Sequence, residues 1–225
     1  MTDVAANLAR VRAELDAACR EAGRDPASVG LVAVGKRHGI DRLQAALDAG
    51  QIDLGENYAQ ELRDKAAAIT APVRWHFIGR VQSNKARYVA PVAWRVHALE
   101  EVHHAEALVA RAPAGIDALV AVHTGDEQSK GGVAPSQVVA RVRELVQVPG
   151  LRVRGLMTLP PHTDDPEDAA PFFAEVADLL QRLRADGHEV DELSMGMSHD
   201  FRVAVRHGAT WVRIGTAIFG ERPTA

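Results

Sequence analysis

Of the 26 basic residues in this chain only Lys36, Lys65, Lys85 and Lys130 are lysines, so chemistry that needs a side-chain amine has few places to go. Lys36 follows the apolar run Leu31-Val-Ala-Val34. An ammonium at the mouth of such a strand is partly desolvated, which lowers its pKa and frees the neutral amine to condense with a carbonyl. The commoner arrangement is a strand-end lysine whose head reaches solvent. Lys130 sits in the polar stretch Asp126-Glu-Gln-Ser-Lys-Gly-Gly132 and reads as a solvated loop lysine, whereas Lys65 and Lys85 fall in helical segments.

A second group of residues has the makings of an anion site. Ser194-Met-Gly-Met-Ser198 and Arg213-Ile-Gly-Thr216 bring together Gly196, Ser198, Gly215 and Thr216, small and hydroxyl-bearing, close to the helical stretch Asp200 to His207. Exposed amides at helix starts favour phosphate. Glycine-rich loops are more often plain turns, so the position of these two in the fold decides the matter.

That position follows from the order of elements. An opening helix places Val4, Leu8, Val11, Leu15 and Ala18 on one face and ends at Gly23 before Pro26. Eight β-type runs follow, at residues 31–34, 52–54, 75–78, 94–97, 118–122, 153–157, 192–195 and 211–214, with helical patterns such as 40–49, 58–69, 135–146 and 169–185 between them. Eight strand–helix repeats predict a single (β/α)8 TIM-type barrel spanning residues 1–225, with residues 1–25 as an extra helix packed on it; an open α/β sheet is the alternative. Active sites of such barrels are built where strands run out into the following loops, and phosphate is often held after strands 7 and 8. Strand 8 of a closed barrel pairs back with strand 1. Lys36 and the anion site are then neighbours, as one ligand carrying an aldehyde and a phosphate would require. Pyridoxal 5'-phosphate (PLP) meets that demand, and so does a phosphorylated sugar in a Schiff-base aldolase.

Other classes are less well supported. The net charge is −4 with basic residues dispersed, which argues against nucleic acid. No window has the apolar length of a membrane span and the charged N-terminus does not resemble a signal peptide, so a cytoplasmic location is expected. The lone Cys19 reads as a small helix residue. The ten histidines, His103-His104 and the pair His199 and His207 among them, lack the spacing and companions of a metal-ligand set, and most are expected on surfaces and helices.

The blocks Gly55-Glu-Asn-Tyr58, His76-Phe-Ile-Gly79, Gln82-Ser-Asn-Lys85, Arg154-Gly-Leu-Met157, Ser194-Met-Gly-Met-Ser198 and Arg213-Ile-Gly-Thr-Ala-Ile-Phe-Gly220 resemble, in order, the signature of the pyridoxal-phosphate homeostasis proteins, the YggS or PROSC group. The resemblance implies the barrel of the alanine racemase N-terminal domain, with PLP as a Schiff base on Lys36. It further implies phosphate contacts from Ser198, Gly215 and Thr216, Arg213 facing the pyridine nitrogen, and Asn57 and Met157 beside the ring. A guanidinium cannot stabilise a protonated ring nitrogen, so the cofactor would be a weak electron sink. One block departs from the family pattern: where Val-Ser-Lys-Thr is expected, the chain has Val34-Gly35-Lys36-Arg37, without the flanking hydroxyls.

Three classes of function remain in view: a PLP carrier in intracellular PLP homeostasis, an amino-acid racemase or other weak PLP enzyme, and an aldolase without cofactor. Racemases of this fold type add a β domain that supplies a tyrosine opposite the lysine. Here only Glu221 to Ala225 follow the last motif, and Tyr58 and Tyr88 read as packing or rim residues. The expectation is a monomeric, non-enzymatic carrier whose partners are PLP and apo forms of PLP-dependent enzymes.

Overall fold

Short β-branched runs alternating with amphipathic stretches close, in the computed structural model, into a parallel barrel in which each strand pairs with the next. Residues 2–125 and 131–221 are described, so Lys130 and the segment after Glu221 lie outside the described residues. The strands are β1 (Gly30–Val34), β2 (Asp53–Glu56), β3 (Arg74–Phe77), β4 (Ala93–Leu99), β5 (Ile116–Val122), β6 (Leu151–Thr158), β7 (Glu192–Ser194) and β8 (Trp211–Ile214). Closure is settled by β1 against β8, Gly30 through Ala33 lying opposite Trp211 through Ile214, which excludes the open sheet.

The helices are α1 (Val4–Glu21), α2 (Ile40–Asp48), α3 (Ala59–Ala68), α4 (Ala86–Val89), α5 (Val102–Val109), α6 (Val138–Leu145), α7 (Ala170–Ala185), α8 (Phe201–Arg206) and α9 (Thr216–Phe219). Asp3 caps α1 by accepting the Ala6 amide, and the expected stripe Val4, Leu8, Val11, Leu15 and Ala18 is buried together with Cys19. That face packs on α2, α8 and α9, across the β8–β1 seam.

Strand pleating separates two interiors. Leu31, Ala33, Leu54, Trp75, Phe77, Val212 and Ile214 point outward into the core beneath the helices. Their alternates fill the lumen. Ala98, Leu119, Ala121 and Met157 form a small apolar cluster there, beside a set of polar side chains, Asp53, His76, Arg95, His97, Ser194 and Arg213, all buried. Arg95 closes the N-terminal end of the lumen: it pairs with Asp117 at 3.1 Å and with Glu192, and lies 4.2 Å from the Trp94 ring.

Seven of the ten histidines are exposed or half-buried, as most are expected to be, and three are not. His38, His76 and His97 are buried, the last two because period-two alternation turns them into the lumen alongside the outward Trp75, Phe77 and Val96.

Candidate functional site

The C-terminal strand ends surround a cavity of about 480 Å³. Its lining joins Lys36 after β1, Asn57 after β2, Ser198 after β7, and Arg213, Gly215 and Thr216 on and after β8. Six of the seven expected cofactor residues therefore converge from separate parts of the chain. Met157 does not line the cavity; it is buried below it in the lumen cluster. Apolar walls come from Val34, Ile78, Leu159 and Met197. His38, His162 and His199 also line the cavity; the first two are not singled out from the sequence, and His199 is weighed there only as a metal ligand. His38 stacks against Phe219 at 5.4 Å, and the rings of His162 and His199 meet edge to face at 5.6 Å.

The segment bearing Lys36 is held from below. The Lys65 amine donates to the Gly35 carbonyl at 3.0 Å, and the Arg37 amide donates to Glu61 Oε2 at 2.9 Å. His38 N–H closes the turn on the same Gly35 carbonyl at 3.0 Å. Arg37 takes the left-handed conformation, φ 63°, a strained choice for a non-glycine residue that persists only where surroundings over-determine it. The two residues that depart from the family pattern thus have local reasons. A Cβ on Gly35 would lie 2.9 Å from Leu43 Cδ1, and Arg37 turns its guanidinium toward the Tyr58 ring at 5.8 Å.

Lys65 in turn joins Glu56 at 2.6 Å and Glu61 at 2.9 Å. Burial pushes the Glu56 carboxyl up to about 7, against the lowering effect of Lys65, and its Oε2 has no partner. Glu61 stays below its ordinary value: burial raises it, but the Arg37 amide and Lys65 outweigh that.

The expected anion site has room for an oxyanion. The amides of Thr216 and Ala217 open α9 and have no acceptor within their own turn, the first turn bonding only from Ile218 and Phe219 back to Gly215. A Cβ on Gly215 would sit 3.3 Å from the Val34 carbonyl, so glycine keeps the β8 end close to β1. In the facing loop Asp200 Oδ1 accepts the Met197 amide at 2.6 Å and shapes the turn carrying Ser198.

Arg213 rises into the cavity from the lumen. Its Nη1 donates to Ser194 Oγ at 2.8 Å and its Nη2 to the Thr158 carbonyl at 2.9 Å. Burial pushes the guanidinium down to about 10, with Asp200 opposing, so it is a cation at neutral pH. Ser194 Oγ also lies 2.8 Å from His97 Nδ1, His97 Nε2 lies 2.8 Å from His76 Nδ1, and His76 Nε2 lies 2.9 Å from Asp53 Oδ1. Asp53 is bonded to Arg74 as well. His76 and Ser194 stand in the signature blocks without an assigned role, and Asp53, Arg74 and His97 are not picked out from the sequence; strand alternation at His76 and His97 is the available signal. Among the described residues no group of three metal-ligating side chains converges, and no helix is long and apolar enough to cross a membrane.

Residues 6–223 match the alanine racemase N-terminal domain family. The chain is 42% identical over 226 residues to the pyridoxal phosphate homeostasis protein of Pseudomonas aeruginosa, covering 99% of this chain and 97% of that one. It is 36% identical over 229 residues to the protein of that name from Escherichia coli (strain K12), covering 99% and 98%. Among solved structures, PipY of Synechococcus elongatus PCC7942 with PLP bound superposes with a TM-score of 0.83 at 31% identity, over 96% of this chain and all of that one.

Proposed function

Because the chain belongs to the alanine racemase N-terminal domain family, and within it to the pyridoxal phosphate homeostasis proteins, we propose that its cavity binds PLP and that the protein keeps the cofactor in reserve for other proteins. The observation that carries this reading is the convergence of an amine, Lys36, a fixed cation, Arg213, and a hydroxyl and amide cradle, Ser198, Gly215 and Thr216, in one cavity. The fit is chemical as well as spatial, since the orphan amides of Thr216 and Ala217 call for an anion.

When bound, PLP supplies an aldehyde that condenses with amines and a ring that withdraws electrons. The protein's residues divide the work. Lys36 presents the amine that holds the aldehyde carbon, from a segment tied down by Lys65 and Glu61. Ser198, Gly215 and Thr216 hold the phosphate, while Asn57 and the apolar walls flank the ring. Met157 would support the ring side from the lumen cluster of Ala98, Leu119 and Ala121. Arg213 directs a donor toward the ring nitrogen. Being a cation, it keeps a proton off that nitrogen and restrains electron withdrawal, which suits storage better than turnover.

The test is to reconstitute the purified protein with PLP, reduce with borohydride and map the adduct by mass spectrometry. The label belongs on Lys36, and Lys36→Ala should lose the visible band. An undiminished band in Lys36→Ala sinks the assignment. Transfer of bound PLP to an apo-enzyme, compared with turnover on a panel of amino acids, tests the carrier role, and brisk turnover would replace it with a racemase or other PLP enzyme. Sedimentation of the purified protein tests the expected monomer.

A further inference from the structure

The lumen contains a line of buried polar side chains joining the bottom of the barrel to the cavity, longer than is needed to bury one arginine. Arg213, Ser194, His97, His76 and Asp53 are linked by contacts of 2.8, 2.8, 2.8 and 2.9 Å, and His76 and His97 are completely buried.

The two ends fix every proton between them. Arg213 can only donate. Asp53 can only accept while ionised, and although burial raises its carboxyl, the bonds from His76 and Arg74 hold it below the ordinary value. His76 must then carry its proton on Nε2 and accept on Nδ1. It follows that His97 donates from Nε2 and accepts from Ser194 at Nδ1, leaving the Ser194 oxygen to accept from Arg213. Both imidazoles are neutral: burial lowers His76 despite Asp53, and burial with His76, Arg213 and Arg95 around it holds His97 well down. The charged groups facing this line are Asp53 of β2, Arg74 of β3, Arg95 of β4 and Arg213 of β8.

We propose that Asp53, His76, His97 and Ser194 form a one-way hydrogen-bond chain that orients Arg213 toward the cofactor's ring nitrogen, which makes His97 and His76 positioning residues for the cofactor site. This rests on the reading that PLP occupies the cavity. In such a chain each bond polarises the next. With Nη1 held by Ser194 and Nη2 by the Thr158 carbonyl, the guanidinium plane is set by two acceptors, and the chain keeps one of them always in accepting form.

Two measurements test the proposal. Long-range proton–nitrogen NMR on the cofactor-free wild type should show both imidazoles neutral at pH 7 with their protons on Nε2; an Nδ1–H tautomer or an imidazolium at either position overturns the chain. PLP affinity is then measured by spectral titration, with folding checked by thermal unfolding. His97→Leu should weaken PLP binding about tenfold, as loss of one directed bond implies. His97→Gln, whose amide can accept from Ser194 and donate to His76, should stay within about threefold of wild type. Equal affinity in wild type and a folded His97→Leu overturns the positioning role, as does equal weakening by both variants. Failure of the wild type itself to bind PLP overturns the cofactor reading instead, a result the NMR arm keeps separate.

Discussion

Glu56 should make this protein less stable as pH rises through the mildly acidic range, the reverse of ordinary carboxylate behaviour. The side chain is fully buried, its Oε1 bonded to Lys65 and its Oε2 unpartnered. Its carboxyl ionises at about 7 in the fold against 4.5 ordinarily. Between those values the folded chain holds a proton that the unfolded chain has released, so unfolding becomes easier with rising pH, and the contribution is lost by about pH 7. At about 1.4 kcal/mol per pH unit, the displacement from 4.5 to about 7 is worth about 3–4 kcal/mol. Glu56→Gln removes the titration while keeping an amide oxygen for Lys65. Urea unfolding of both proteins from about pH 4.5 to about pH 8 should give stability curves that diverge by about that amount in the variant's favour as pH rises. Parallel curves, or divergence of the opposite sign, would refute the assignment of burial as the dominant force on Glu56.

Other substitutions probe the remaining parts. His97, held well below its ordinary value by burial, is neutral in the fold and protonates on unfolding, so its contribution is present at neutral pH and lost as pH falls below about 6.5; His97→Gln should flatten acid unfolding in that range, and an unchanged acid limb would count against it. Gly79→Ala would put a methyl 2.0 Å from the Asn57 carbonyl, and the overpacking should cost at least about 1–3 kcal/mol in thermal or urea unfolding while displacing Asn57 and weakening PLP binding. Arg213→Lys cannot reach Ser194 Oγ and the Thr158 carbonyl with one planar fork, so PLP affinity measured by spectral titration should fall by about tenfold or more.

The barrel was legible because its evidence is local and repeated. Each strand is a short apolar run and each helix an amphipathic one, and eight repeats leave little choice of topology. The site was legible through Lys36 and the two glycine-bearing strand ends, since closure alone brings β8 beside β1. Whether Met157 enters the cavity or joins the lumen cluster, where the fold places it, is not legible from a strand-end position. The lumen role of the buried histidines is not legible for a related reason. Weighed as metal ligands, His76 and His97 had no companions in sequence, whereas their bonds run across the barrel to Asp53 and Ser194, residues 23 and 97 positions distant.

The same distinction explains the unusual pair around Lys36. A missing hydroxyl at position 35 or 37 looks from the sequence like a lost hydrogen bond to the cofactor. In the fold, Leu43 occupies the space that a side chain at 35 would need, and the main chain on both sides of the lysine is bonded from α3 by Lys65 and Glu61. Lys36 is therefore positioned through its backbone. Because those two bonds depend on a buried Lys65–Glu56–Glu61 cluster, the rigidity of the amine is tied to a carboxyl that titrates at about 7. Removing Lys65 takes away the ammonium that holds Glu56 Oε1 and the donor to the Gly35 carbonyl at once. Lys65→Met should accordingly slow PLP capture by Lys36 as well as destabilise the fold, whereas Glu56→Gln, which keeps an acceptor for Lys65, should leave capture near the wild-type rate in a stopped-flow absorbance assay. Equal slowing in the two variants would mean that the charge of Glu56, and not the grip of Lys65 on the loop, governs the lysine.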